Sequence, residues 1–207
     1  HRDASDIRKR VLILRTDSIG DFVIWLDAAK ELRTIYPSEE YKVTLLASQD
    51  WAGLAKSLPY WDEVIAIDRT KFIWNVVYRW QFLRRLAHLH FDVTIHPVFS
   101  RTLILGDSLV RTTASPLRIG WQSHNELNSS FLFFIKKILT KFWYTELIFL
   151  DHNQLTELQR NAHFIRKLGL KDFQPGWPQL TVKSFQRPDA LEDDYFETLL
   201  SDEGDYQ

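Results

Sequence analysis

Residues 10–24 read Arg-Val-Leu-Ile-Leu-Arg-Thr-Asp-Ser-Ile-Gly-Asp-Phe-Val-Ile, and this stretch is the most informative indication of the fold in the chain. The apolar run 11–14 ends at Arg15, and a few polar or flexible positions lead to an amphipathic segment that begins at Asp21. The pattern predicts a first β-strand, a tight turn and the N-terminus of a helix. Because open α/β sheets bind ligands at the carboxyl ends of their strands, we expect this turn to lie at a functional edge.

The turn contains Asp17, Ser18, Gly20 and Asp21. A helix N-terminus stabilises a negative charge, so Asp21 is expected to be ionised and able to accept a proton or a hydroxyl hydrogen bond. The alternative is an ordinary capping turn, because Ser and Asp are the preferred N-cap residues. The local pattern leaves both interpretations open.

Short apolar runs and amphipathic segments alternate along the rest of the chain. The helices are predicted at 21–36, 51–58, 72–89, 102–110, 131–143 and 155–168, and the strands at 42–47, 63–67, 92–96 and 117–120. Strands that alternate with helices of this length predict an α/β fold, a Rossmann-like, doubly wound and mostly parallel sheet.

Composition limits the class of protein. A chain of 207 residues with 45% hydrophobic residues can bury the core of one domain, and its net charge of -1 argues against a dedicated nucleic-acid binder. It has no cysteine, which excludes disulfides and a cysteine nucleophile and fits a reducing cytoplasm. We interpret 1–9 as a tag remnant or disordered start, 10–174 as one domain, and 175–207 as a linker and the start of another domain.

Several short patterns together resemble glycosyltransferase family 9, the bacterial heptosyltransferases of lipopolysaccharide synthesis. They are the 15–21 turn, Ala28-Ala29 with Leu32 and Tyr36-Pro37, Thr44-Leu45-Leu46-Ala47, Pro59-Tyr60-Trp61-Asp62-Glu63-Val64, Arg118-Ile119-Gly120 and Glu157-Leu158-Gln159-Arg160-Asn161. The resemblance implies one half of a GT-B enzyme, which has two Rossmann-type domains. This chain would be the amino-terminal, acceptor-binding domain, and the other domain would bind an ADP-heptose-like nucleotide sugar.

The resemblance also implies an inverting transfer, in which an acceptor hydroxyl attacks the anomeric carbon opposite the departing nucleotide diphosphate. By resemblance Asp21 is the catalytic base, which requires a carboxylate within hydrogen-bond reach of that hydroxyl. Gly20 would allow close approach of the acceptor, and Asp17 and Ser18 would orient its hydroxyls. No Asp-x-Asp pattern is present, so no metal ion and no cofactor is expected in this domain.

The acceptors of this family are anionic lipid-linked saccharides, so cationic residues near strand ends are candidate acceptor ligands. Those candidates are His96, Arg101 and Arg118, and the alternative is surface solvation or a charge at a helix C-terminus. His88 and His90, together with His96, could also indicate a metal cluster, but the first two point to different helical faces.

The segment 131–143 is a candidate for peripheral membrane contact. Its aromatic and aliphatic residues share one helical face, and Lys136, Lys137 and Lys141 lie mostly on the other. An interfacial helix on an anionic membrane has this pattern. The alternative is a helix that packs its apolar face on the sheet.

Two other functions compete with transfer. One is a non-catalytic saccharide- or ligand-binding module on the same fold, because fold alone does not fix function. The other is a nucleotide-binding oxidoreductase domain, although the first turn lacks Gly-x-Gly-x-x-Gly and no Gly-x-x-x-x-Gly-Lys pattern is present.

Overall fold

A computed structural model describes residues 7–122, 142–150 and 155–178. Within these ranges strands and helices alternate as predicted. The elements are β1 (Lys9–Arg15), α1 (Ile19–Lys30), α2 (Leu32–Ile35), β2 (Tyr41–Ser48), α3 (Ala52–Lys56), β3 (Glu63–Ile67), α4 (Arg69–Trp74), α5 (Val76–Ala87), β4 (Val93–His96), a π-helical turn (Leu103–Asp107), α6 (Ser108–Thr113), β5 (Leu117–Trp121), β6 (Glu146–Ile148) and α7 (Glu157–Leu168). The helix predicted at 131–143 lies outside the described residues except for its last two positions, as does most of 175–207.

The strands form one sheet in the order β3-β2-β1-β4-β5-β6, and every pairing is parallel. This confirms the predicted Rossmann-like α/β class. The sequence did not predict β6, which pairs Ile119 of β5 with Glu146 and has only three residues. A run that short has too little periodicity to be recognised.

Helices cover both faces of the sheet, because side chains along a strand alternate between the faces. In β1, Val11 and Ile13 belong to the core beneath α1, α3 and α7, and Leu12 and Leu14 belong to the core beneath α4, α5 and α6. These four side chains are at most 1% exposed. β1 is therefore the buried centre of a three-layer α/β/α domain.

The helix predicted at 72–89 is in fact two helices, α4 and α5. Asn75 separates them, and its side chain caps α5 by accepting a hydrogen bond from the Tyr78 amide at 2.9 Å. The sequence pattern also puts Ile73, Val76, Val77, Trp80, Leu83 and Ala87 on one apolar helical face. That face is not the buried one, since Val76 and Trp80 are 65% and 59% exposed while Leu86 is buried. The sequence pattern contains two apolar faces, and packing on the sheet decided which of them is buried.

Candidate functional site

The turn after β1 lies at the carboxyl edge of the sheet, beside the point where the strand order reverses. The chain leaves β1 towards β2 and leaves β4 towards β5, so the two loops diverge and open a crevice between them. Residues 16–20 form one side of this crevice, and the loop that follows His96 forms the other. The sequence correctly placed the turn at this edge.

Ser18 and Asp21 form a local pair at the start of α1. The Ser18 hydroxyl oxygen accepts a hydrogen bond from the Asp21 amide at 3.3 Å, and the hydroxyl donates to Asp21 Oδ2 at 2.7 Å. Among the described residues nothing donates to the other carboxylate oxygen of Asp21. The capping interpretation therefore describes the turn correctly, and the cap leaves one oxygen of a partly exposed carboxylate available at the edge. The role of Asp21 as a base stays a prediction.

Arg15 holds this turn from the interior. Its side chain is fully buried, and its guanidinium donates to Asp17 Oδ1 and to the Asp21 carbonyl, both at 3.1 Å. Arg15 Nη2 also lies 2.9 Å from Asp17 Oδ2, which completes an ion pair. The guanidinium also lies 5.1 Å from the centre of the Trp25 ring. A planar group with donors in a fixed fork can bind a carboxylate and a carbonyl together, so Arg15 fixes the position of the two aspartates relative to β1.

The first turns of α7 complete the surroundings of Arg15. Glu157 Oε1 lies 3.5 Å from its Nη2, and Asn161 Oδ1 lies 3.4 Å from its Nη1. The segment 157–161 belongs to the family resemblance, but its contact with Arg15 was not predicted. A signal was present, because residues four apart on a helix share one face, which places Glu157 and Asn161 together.

Asp17 is held by two residues, Arg15 and Trp51. Besides Arg15, its carbonyl accepts a hydrogen bond from the Trp51 indole N–H at 3.0 Å, and the Trp51 ring stacks on Phe22 at 4.0 Å. Burial raises the pKa of the Asp17 carboxyl above its ordinary value, and the nearby Arg15 guanidinium offsets only part of this effect. Asp17 is therefore suited to fixing the turn and to accepting a hydrogen bond at its exposed edge.

His96 and Arg101 lie near the carboxyl edge but are turned into the protein. His96 Nδ1 lies 2.8 Å from the Tyr144 hydroxyl, which donates to Asp107 Oδ1 at 2.8 Å. Arg101 donates to the same oxygen at 3.1 Å, and its guanidinium lies 4.4 Å from the Tyr144 ring centre. The side chains expected to meet an anionic acceptor thus form a buried network with each other.

The electrostatics of the network keep His96 neutral. Burial, with a smaller contribution from the positive charges of Arg101 and Arg15, lowers the pKa of His96 from 6.5 to about 3. The ring also leaves no room at position 106, because a Cβ on Gly106 would lie 2.4 Å from His96 Cε1. His96 is therefore not the exposed cation that the sequence led us to expect, and acceptor binding by His96 and Arg101 stays a prediction that their burial does not favour.

Arg118 lies away from the turn. It pairs in register with Thr94, which pairs with Leu12, so it is level with a residue three positions before Arg15, roughly 10 Å along the strand. Its guanidinium donates to the Trp143 carbonyl at 2.7 Å and to the Ser115 carbonyl. The structure therefore brings Asp17, Ser18, Gly20 and Asp21 together and does not bring Arg118 to them.

The neutral His96 predicts a pH dependence of stability. Because the unfolded chain takes up a proton near pH 6.5 that folded His96 binds only near pH 3, the free energy of unfolding should fall as the pH drops through this window. We expect a loss of about 2 kcal/mol between pH 7 and pH 5 from this residue. Urea unfolding at both pH values measures this loss of free energy, which should be about 2 kcal/mol smaller in His96→Gln than in the unaltered chain. If the free energy of unfolding of His96→Gln falls between pH 7 and pH 5 as much as that of the unaltered chain, His96 is not a neutral buried residue. His88→Gln, at an exposed histidine, serves as the control.

The described ranges 7–122, 142–150 and 155–178 hold neither a candidate metal centre nor a candidate membrane span. No group of three or more His, Cys, Asp or Glu side chains is arranged to hold a metal ion there. No helix in those ranges is long and apolar enough to cross a bilayer.

The fold is similar to solved glycosyltransferases, whereas no protein-family model and no curated protein matches the sequence with significance. A family 9 glycosyl transferase from Veillonella parvula superposes with a TM-score of 0.61 at 16% identity, over 81% of this chain and 43% of that one. The E. coli heptosyltransferase WaaC with ADP superposes with a TM-score of 0.52 at 16% identity, over 82% of this chain and 49% of that one. E. coli ADP-heptose lps heptosyltransferase II superposes with a TM-score of 0.56 at 16% identity, over 84% of this chain and 47% of that one.

These matches confirm the family resemblance at the level of the fold. In each case the chain covers less than half of the length of the solved structure. The chain therefore has the Rossmann-like fold that forms about half of a family 9 glycosyltransferase or heptosyltransferase structure.

Proposed function

We propose that this chain is the acceptor-binding half of an inverting glycosyltransferase, which moves a sugar, by resemblance a heptose, from a nucleotide sugar to a lipid-linked saccharide. One observation carries the proposal. The Asp21 carboxylate lies at the switch-point edge of a glycosyltransferase-like fold, held on one oxygen by Ser18 and otherwise available. An acceptor hydroxyl that reaches this edge would find a fixed proton acceptor.

The transfer step requires few other groups from this domain. The acceptor oxygen forms a bond to the anomeric carbon, the bond from that carbon to the nucleotide diphosphate breaks on the opposite side, and the hydroxyl proton passes to Asp21. Asp21 must be held still for this, and Ser18 on its carboxylate and Arg15 on its carbonyl do so. Asp17, locked by Arg15, would accept a hydrogen bond from a second acceptor hydroxyl.

Gly20 supports a ligand at this edge. It is an exposed residue in the first turn of α1, where a glycine costs about 1 kcal/mol relative to alanine. Among the described residues, a Cβ at this position would meet only Ser18 Oγ, at an ordinary contact distance of 3.8 Å. Packing within the domain therefore does not require a glycine, whereas close approach of an acceptor to the backbone would.

The proposal assigns the nucleotide sugar to a second domain outside this sequence. We expect the 207-residue chain to fold alone, because the six-stranded sheet is covered on both faces, but to transfer no sugar. A cooperative thermal transition and a transfer assay with a radiolabelled nucleotide sugar test the two parts. Transfer by the isolated chain would show that the donor binds here, and the division of labour proposed above would then be wrong.

A further inference from the structure

The helices α4 and α5 present large apolar side chains to solvent. Trp74, Val76, Val77 and Trp80 are 81%, 65%, 63% and 59% exposed. They lie within seven consecutive positions at the end of α4 and the start of α5. Isolated exposed apolar residues are normal, but two tryptophans and two valines together indicate a surface that meets something apolar.

The exposed face of α5 changes character along the helix. Its N-terminal half presents Val76, Val77 and Trp80, and the positions four and eight residues further along present Arg84, Arg85 and His88. The Arg84 guanidinium lies 5.4 Å from the centre of the Trp80 ring, and a shallow groove between Trp80 and His88 joins the two halves. We call Trp74 and these α5 residues the α5 surface.

Charge is concentrated at the same place. Residues 69–91 contain Arg69, Lys71, Arg79, Arg84 and Arg85 and no Asp or Glu, a local charge of +5 in a chain whose total is -1. The nearest carboxylate before this segment, Asp68, caps α4 and binds Lys71. The partner of the α5 surface should therefore be apolar in part and strongly negative in part.

We propose that the α5 surface binds an anionic lipid bilayer, with Trp74, Val76, Val77 and Trp80 in the interface and the arginines against lipid phosphates. Tryptophan favours the boundary between headgroups and acyl chains, and each basic side chain near an anionic surface adds attraction. A second copy of this chain fits poorly, because a two-fold contact would place the surface that carries Arg84 and Arg85 against the same positively charged surface of the other copy.

The α5 surface begins close to the edge of the sheet that carries Asp21. α4 begins directly after β3, at the carboxyl edge of the sheet that also carries Asp21, and the exposed Trp74, Val76 and Val77 follow within eight residues. The apolar end of the α5 surface therefore lies on the same side of the domain as the proposed acceptor edge, whereas Arg84 and Arg85 lie nearer the start of β4. The inference does not depend on sugar transfer, because vesicle binding can be measured in the absence of a nucleotide sugar.

The test is sedimentation with vesicles of phosphatidylcholine containing phosphatidylglycerol, compared with vesicles of phosphatidylcholine alone. We expect the chain to bind the anionic vesicles and to lose about tenfold or more in affinity in Arg84→Glu/Arg85→Glu, and similarly in Trp74→Ser/Trp80→Ser. Matched controls are Lys167→Glu/Lys171→Glu, which makes the same change in net charge on exposed lysines, and Trp177→Ser, at an exposed tryptophan elsewhere. All four variants change exposed side chains, and far-ultraviolet circular dichroism should confirm that they fold.

Three results would overturn the inference. The first is no binding of the unaltered chain to anionic vesicles, and the second is an equal loss in the α5 and control variants. The third is loss of binding only in Lys136→Glu/Lys137→Glu/Lys141→Glu, which would assign the contact to the segment 131–143 instead. Equilibrium sedimentation of the chain without vesicles adds one more test. If the chain forms a dimer, Trp74→Ser/Trp80→Ser dissociates it and no vesicle binding is seen, the partner is a second copy of the chain.

Discussion

Asp21→Ala, introduced into an enzyme that contains this chain and its donor domain, should lower kcat by roughly 10²-fold or more, the range for loss of a general base. The fold should be retained, because the residue is only partly buried and its backbone contacts to Ser18 and Arg15 remain. Steady-state transfer assays and a thermal melt of the same preparation measure the two effects separately.

Two further variants make this test specific. Ser18→Ala removes the cap and the hydrogen bond to Oδ2 but keeps the carboxylate, so it should cost about 1 kcal/mol of stability and less activity than Asp21→Ala. Asp172→Ala changes an exposed aspartate outside the turn and should leave both unchanged. Full turnover by Asp21→Ala would remove this residue from the mechanism. Saccharide binding without transfer by any preparation would favour a ligand-binding module.

The second large effect is expected at Arg101. The side chains of Arg101 and Asp107 are 2% and 0% exposed and lie 3.1 Å apart, so Arg101→Met would remove a positive charge that directly contacts a buried carboxylate. Removing one partner of a buried ion pair typically costs about 3–5 kcal/mol. Urea denaturation monitored by tryptophan fluorescence should show this loss as a lower midpoint.

Two comparisons isolate the buried charge as the cause. Arg101→Met/Asp107→Asn removes both charges and keeps an acceptor for the Tyr144 hydroxyl, so it should recover much of the lost stability. Arg33→Met breaks a pair with Asp62, at 2.9 Å, whose side chains are 20% and 23% exposed, and should cost under about 1 kcal/mol. If Arg101→Met costs no more than Arg33→Met, the network around His96 contributes little to stability.

The sequence by itself determined the strand, turn and helix at 10–24 and the class of the fold. These features depend on local signals: an apolar run, a Ser cap and the alternation of strand and helix lengths. The same signals placed Asp21 in the first turn of a helix at the carboxyl edge of a parallel sheet, which is where the structure has it.

Tertiary structure alone decided which side chains face that edge. Arg15 is 142 positions from Glu157, and their contact depends on how α7 packs beside β1, which no local pattern encodes. The same holds for His96, which looked like a strand-end cation and is buried against Tyr144, 48 positions later. In α5 the sequence offered two apolar faces, and docking on the sheet buried one and left Trp80 in solvent. Burial and pairing are set by elements far apart in the chain, so only their assembly could decide them.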